Sequence, residues 1–397
     1  MNIISEKFAE LGELLQQYMT QEAQAPRPVT VADMSEIETM VPEYLDPGVK
    51  LLKVPTIYRF NQSGLRYYFS IDDEQVTFFP SVTTILKETL PTSPGLQELR
   101  DRLGKEGYYA FMNERADYGT LLHVFAADYQ RHNRNFDTDT ISKRIAEYSE
   151  EHNLRFDTHN WSYYLNKDLR AIAQFIHDYD VKPIAIELIG KYTGKLQTVL
   201  VDNKTELDVC FSGAIDLLCE MTIEEKGFYG EILKNGPRKG EPKETKQSRR
   251  VTAIVDFKSG KNGFHPEHEM QLHMYKMMVE QSFGIKVDKL FNVSPKDWET
   301  VPNYNIKDQT DSQHAGRIPF LLGSYFCIYP GVRDILIMSG KLNGGNMSEC
   351  TKWVPAQEWV LGKLGIKPEQ KSPQDELHVL AERIKKQPVK ITASEAV

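Results

Sequence analysis

Cysteine is scarce in this chain. Cys210, Cys219, Cys327 and Cys350 are the only four in 397 residues, and none forms a C-x-x-C pair. These spacings match no zinc or iron–sulfur pattern, so small, buried, reduced thiols are expected. Long apolar runs are missing too: no stretch approaches the roughly 20 residues of a spanning helix, so no membrane partner is expected. The opening residues Met1, Asn2, Ile3 and Ile4 carry neither the basic flank nor the apolar core of a secretory signal, and a cytoplasmic location is expected. No G-x-x-x-x-G-K-[ST] loop occurs, so no nucleotide cofactor is expected, and there is no internal repeat or low-complexity tract.

Nor is there an excess of positive charge. The net charge is −8, and residues 1–50 hold nine acids against Lys7, Arg27 and Lys50, so most of the excess sits at one end. The rest is near neutral with local basic stretches, and a protein that uses a metal and a few cations at a groove need not be basic overall. Apolar residues at 40% and charged residues at 26% are ordinary for a soluble globular chain able to bury a full core.

Ile4, Phe8, Leu11, Leu15 and Tyr18 predict an amphipathic helix over 3–19, followed by a Pro26/Pro28 linker. Residues 1–45 therefore read as an acidic arm, either docked or available to a replication or recombination partner. Aromatic and β-branched residues over 51–79 predict a hairpin, and Pro80 to Leu86 a turn into a helix. Ser81 and Thr83 suit its N-cap, a place that can also hold a phosphate. Helices are expected over 95–132 and 163–179, strands over 183–189, 207–219 and 251–258, a helix over 266–282 and a strand over 289–293. Helix, three strands, helix, strand is an α/β arrangement with a mixed sheet flanked by helices. Residues 301–397 hold apolar material without a legible motif, then a charged helix and tail.

The most informative stretch is Val251 to Gly260. Successive strand side chains point to opposite faces, so Asp256 and Lys258 share one face while Val255 and Phe257 share the other. A carboxylate and an ammonium at the end of a buried strand are costly unless they pair or bind something. A divalent metal and a phosphodiester satisfy both. Upstream, Gly213-Ala-Ile-Asp216 places a second acid in an apolar run, and downstream Gln271 and Tyr275 lie four apart on one helix face.

With Gly119-Thr-Leu-Leu-His123 on the earlier helix and Glu187 in the first strand, these pieces resemble the RecB-type, phage-exonuclease-like branch of the PD-(D/E)XK nuclease superfamily. The likeness covers about residues 80–300, and the segment from Pro80 is similar to the leading helix of phage exonucleases and of the mitochondrial genome maintenance exonuclease. It implies a restriction-endonuclease-like core at 46–300 and hydrolysis of DNA with Mg²⁺ or Mn²⁺. Asp216, Asp256 and the Phe257 carbonyl are then metal ligands, His123 adds an imidazole ligand, and Glu187 completes the shell or holds a water of it. Lys258 orients the attacking water or stabilises charge developing on phosphorus, while Gln271 and Tyr275 bind backbone phosphate. The cysteines depart from the cluster-bearing members of the family, so no iron–sulfur centre is expected.

Seven basic residues between Lys234 and Arg250 lie in a polar insert, about 221–250, between the strands of Asp216 and Asp256. Either it is a solvated hairpin or its Arg238, Lys239, Arg249 and Arg250 grip phosphates beside the site. The function expected is a metal-dependent exonuclease on single-stranded or end-bearing DNA. A structure-selective endonuclease and a nonenzymatic DNA-end-binding factor are the alternatives.

Overall fold

The structure is a computed structural model that describes residues 28–29, 37–49, 54–62, 65–72, 75–92, 94–132, 138–151, 158–197, 206–260, 263–328, 336–339, 352–355, 360–362 and 364–366. The helix expected over 3–19 and the charged tail after residue 373 lie outside the described residues. In chain order come β1 (Pro28–Val29), β2 (Glu38–Met40), β3 (Tyr44–Leu45), β4 (Ile57–Gln62), β5 (Leu65–Asp72) and β6 (Gln75–Pro80). Four helices follow: α1 (Val82–Thr89), α2 (Pro94–His132), α3 (Thr138–Glu151) and α4 (Thr158–Asp178). Then come β7 (Lys182–Gln197), β8 (Glu206–Ile232), β9 (Pro242–Phe257), α5 (Pro266–Phe283), β10 (Lys289–Pro295) and β11 (Tyr304–Asp308). The last elements are α6 (Ile318–Ile328), β12 (Leu336–Ser339) and β13 (Lys352–Pro355).

A six-stranded sheet ordered β11-β10-β9-β8-β7-β3 forms the centre. β9 and β10 run parallel, joined through α5, and the other neighbours are antiparallel, so the sheet is mixed. One face packs against α1, α5 and α6, with Leu188, Phe211, Ile215, Ile254 and Leu290 meeting Met274, Met278 and Leu321. The other packs against α2, α3 and α4, with Ile186, Leu217, Val255 and Phe257 meeting Leu122, Phe125, Ile172 and Phe175. The molecule is thus α/β with helices on both sides of a mixed sheet. A separate antiparallel sheet, β2-β4-β5-β6, contains the expected hairpin. Among the described residues no helix is long and apolar enough to cross a membrane.

Three stretches take a definite form that the sequence left open. Residues 38–45 are paired into the body, β3 with β7 and β2 with β4. The body also runs past residue 300, since β11 extends the main sheet beside β10 and α6 covers its face. The 221–250 insert is mostly strand: β8 and β9 stay paired from Leu217–Val255 out to Ile232–Pro242, as a long ribbon. Polar residues on both faces of such a ribbon leave no apolar alternation to read.

Candidate metal centre

Glu187 and Asp216 sit where β7 and β8 both break their alternation. Ile186 and Leu188 lie in opposite cores, as do Leu217 and Ile215, although each pair is two residues apart and should share a face. Ile186 pairs with Leu217 and Leu188 with Ile215, which sets Glu187 and Asp216 opposite one another at the break. Glu187 adopts φ 52° there, a left-handed conformation that costs a residue with a Cβ about 1–3 kcal/mol. Strain of this kind is held only where surroundings over-determine it, and it concentrates at ligand sites.

His123 approaches from α2. Gly119, one turn before it, faces Ser259 just past β9, whose Oγ a Cβ at this position would meet at an ordinary 3.4 Å. His123 Nδ1 lies 3.3 Å from Asp216 Oδ2. The same oxygen accepts the Phe257 N–H at 2.8 Å. Ligand atoms of His123, Glu187 and Asp216 all lie within 4.8 Å of one another.

Beside this trio stands the Asp-x-Lys pair. Lys258 Nζ donates to Asp256 at 3.0 Å from Oδ1 and 2.8 Å from Oδ2. It also donates to Gln271 Oε1 at 3.0 Å, and Gln271 Nε2 donates to the Tyr275 hydroxyl at 2.7 Å. Asp256 is buried, whereas the side chains of His123 and Lys258 retain 29% and 21% of their exposure, so the group opens to solvent from the helix side.

The electrostatics are those of a site with surplus negative charge. Burial alone would lower the His123 pKa, but Asp216, Glu187 and Asp256 together push it up to about 9. Burial would raise Asp216, yet His123, Lys258 and the Phe257 N–H hold it below the usual carboxylate range. At Asp256 burial prevails over the Lys258 charge, and Asp216 adds to it, giving about 6. Two carboxylates and an imidazole within one cation's reach, with a third carboxylate alongside, fit a divalent metal that accepts nitrogen as well as oxygen.

The structure therefore brings together His123, Glu187, Asp216, Asp256, Lys258, Gln271 and Tyr275. Gln271 and Tyr275, expected at backbone phosphate, are buried and form a hydrogen-bonded chain that ends on Lys258. The Phe257 ring is packed in the core, and its N–H donates to Asp216 Oδ2. Ser81 is buried and caps α1, accepting the Thr84 N–H at 2.9 Å, so its hydroxyl is not open to a phosphate; Thr83 beside it is exposed. Cys219 is buried and Cys210 partly so; both lie in β8 outside any disulfide, and Cys210 Sγ donates to the Phe78 carbonyl at 3.4 Å.

The basic insert lies elsewhere. Asp256 is the penultimate residue of β9 while Arg250 stands six residues earlier, about 20 Å along an extended strand, and Arg238 and Lys239 lie at the far tip. The ribbon leaves by the opposite end of the strands, because in an antiparallel pair the turn follows β8 and precedes β9. Its cations also have partners: Arg249 meets Glu225, Arg250 meets Asp180 at 2.8 Å, and Arg238 meets Glu241 at 2.6 Å.

Two site residues escaped the sequence reading. Asn292 of β10 donates from Nδ2 to Asp256 Oδ2 at 2.8 Å, and its Oδ1 accepts from Gln309 Nε2 at 3.1 Å. A lone amide inside Leu290-Phe-Asn-Val293 was a usable signal, since central strands next to a parallel neighbour read as continuous apolar runs. The chain matches no protein-family model, and no curated protein matches it.

Proposed function

We propose that this protein is a divalent-metal-dependent deoxyribonuclease with a restriction-endonuclease-like core, acting as an exonuclease on single-stranded or end-bearing DNA. The observation that carries the reading is the meeting of His123, Glu187 and Asp216 beside an Asp256–Lys258 pair at the end of β9. The order α4-β7-β8-β9-α5-β10 supports it, as do the Gln271 and Tyr275 side chains directed at Lys258.

His123, Glu187 and Asp216, with Asp256 alongside, are the residues that would hold Mg²⁺ or Mn²⁺. When bound, such an ion neutralises charge on the phosphate and acidifies a water molecule. Lys258 supplies a fixed positive charge one residue past the buried strand, where an attacking water or a developing phosphorane charge can use it. Gln271 holds that ammonium from the helix side, and Tyr275 fixes the Gln271 amide in turn. The overall step is hydrolysis: a water oxygen bonds to phosphorus, the bond to the leaving sugar oxygen breaks, and that oxygen gains a proton.

Purified protein with end-labelled linear and with circular single-stranded DNA tests the proposal. Linear DNA should be degraded with Mg²⁺ or Mn²⁺, spared in EDTA, and spared by Asp256→Ala. Cutting of circles would make the enzyme an endonuclease of the same centre. Binding of ends without cleavage under any divalent metal would leave a nonenzymatic DNA-end-binding factor.

A further inference from the structure

We infer that Asn292 and Gln309 form a positioning pair for the metal centre, holding the Asp256 carboxylate from behind so that one defined oxygen is left for the ion. The inference rests on the metal-nuclease reading and adds to it two residues and a role for the chain beyond residue 300.

Asn292 is wholly buried on β10, between Phe291 and Val293, which are also buried. An amide there loses its hydration, a cost that is offset only when both its ends are hydrogen-bonded. Both ends are. Its Nδ2 donates to Asp256 Oδ2 at 2.8 Å across the parallel pair in which Asn292 stands opposite Asp256. Its Oδ1 accepts from Gln309 Nε2 at 3.1 Å.

Gln309 is 2% exposed and is itself fixed twice through its backbone. Its N–H donates to the Leu290 carbonyl at 2.8 Å, and its carbonyl lies 2.9 Å from His273 Nε2. His273 and Gln271 both belong to α5, so hydrogen bonds run from that helix through Gln309, Asn292, Asp256 and Lys258 and return to it. An apolar residue at 292 would satisfy the strand equally well and be simpler to bury. What the amide adds is direction. It fixes Oδ2 of Asp256, which Lys258 also reaches at 2.8 Å, so that Oδ1, at 3.0 Å from the exchangeable Lys258 ammonium, is the oxygen without an amide donor. Residues that orient a ligand in this way change metal affinity or activity by about 10–100-fold when removed.

The test is Mn²⁺ affinity, read from the paramagnetic resonance of free Mn²⁺ without DNA, alongside turnover at saturating DNA. Asn292→Leu removes both bonds with little change of volume. Gln309→Glu offers Asn292 Oδ1 a carboxylate, so the amide must turn over and present its oxygen to Asp256. Each variant should weaken Mn²⁺ binding about tenfold or more and lower kcat, with KM for DNA within twofold of wild type. Unfolding midpoints measured without metal identify a folded variant; if Asn292→Leu does not fold, Gln309→Glu decides. A folded variant that binds Mn²⁺ within twofold of wild type would overturn the positioning role alone. Wild-type protein that binds no Mn²⁺ would overturn the metal reading and this role with it.

Discussion

A Cβ added at Gly213 would lie 2.9 Å from Cε1 of Tyr275. Real Cβ atoms do not come so close to an aromatic ring. The tyrosine can stand where its hydroxyl accepts from Gln271, and Gln271 can hold Lys258, because β8 has no side chain at this point. Gly213 begins the same run that ends in Asp216, so one strand supplies both a candidate ligand and the space that Tyr275 occupies.

Gly213→Ala should therefore move the Tyr275 ring and act at a distance on Lys258. Overpacking of a fitted core costs about 1–3 kcal/mol, and the loss should appear as a lower unfolding midpoint together with reduced turnover. Tyr275→Phe is the control, since it removes the hydroxyl without a clash. Gly213→Ala with unchanged activity would show that the ring's position does not matter to the chemistry.

Lys258→Met should lower turnover by about 10²–10³, the usual effect of losing one charge-stabilising donor. Mn²⁺ binding should persist, because an ammonium is not a ligand and here competes for Asp256 as a donor to both oxygens. Isothermal titration beside single-turnover rates separates the two effects. Lost metal binding with normal chemistry per bound ion would reverse the role given to Lys258.

How far the sequence could be read depends on the range of each signal. Asp256 with Lys258, and Gln271 with Tyr275, follow from the periods of one strand and one helix, and both pairs are found as expected. Gly119 and His123 show one helical turn, which is why the histidine was legible while its contact with Asp216 was not. Glu187 could be placed on a strand, but its left-handed backbone could not, since that arises where two strands break together. Gln309 reaches Asn292 only because β11 returns beside β10, a matter of sheet order on which local periodicity is silent. Ile141, Ile145 and Tyr148 do carry the spacing of α3, a local signal passed over in the sequence reading. The insert stayed open between hairpin and phosphate grip for a physical reason: its position between two site strands fixes its neighbours in sequence but not the end of the sheet from which it leaves.

Acid should destabilise the fold through His268. Burial, then the charges of Lys258 and His265, lower its pKa from 6.5 to about 3, and its Nδ1 accepts the His265 N–H at 3.2 Å at the start of α5. A pKa depressed by folding means that the unfolded chain takes up the proton first. The stabilisation is complete above about pH 6.5 and is lost as pH falls from there toward 3. His268→Gln keeps an acceptor at this third helical position and does not titrate. Its melting temperature should fall less than that of wild type between pH 7 and 4.5. Parallel curves would show that His268 carries no such linkage.

The last prediction concerns the ribbon. Each phosphate contact on a single strand steepens the salt dependence of binding by about 0.7 in log K against log salt. Arg238 and Lys239 sit at the ribbon tip, and Arg249 and Arg250 sit on its stem among acidic partners. None of the four is near the metal centre, from which Arg250 is separated by about 20 Å of extended β9. Neutralising Arg238 and Lys239 should leave the salt slope and turnover on short DNA unchanged. Arg250→Ala should act instead on stability, because Arg250 NH1 donates to the Asp180 carbonyl and carboxylate and to Thr222 Oγ1, which ties the stem to the end of α4. The slope measured on oligonucleotides of rising length decides the matter. A slope that flattens by about 0.7 or more in Arg238→Ala/Lys239→Ala, already on the shortest oligonucleotide that is cleaved, would place the ribbon tip against the bound strand after all.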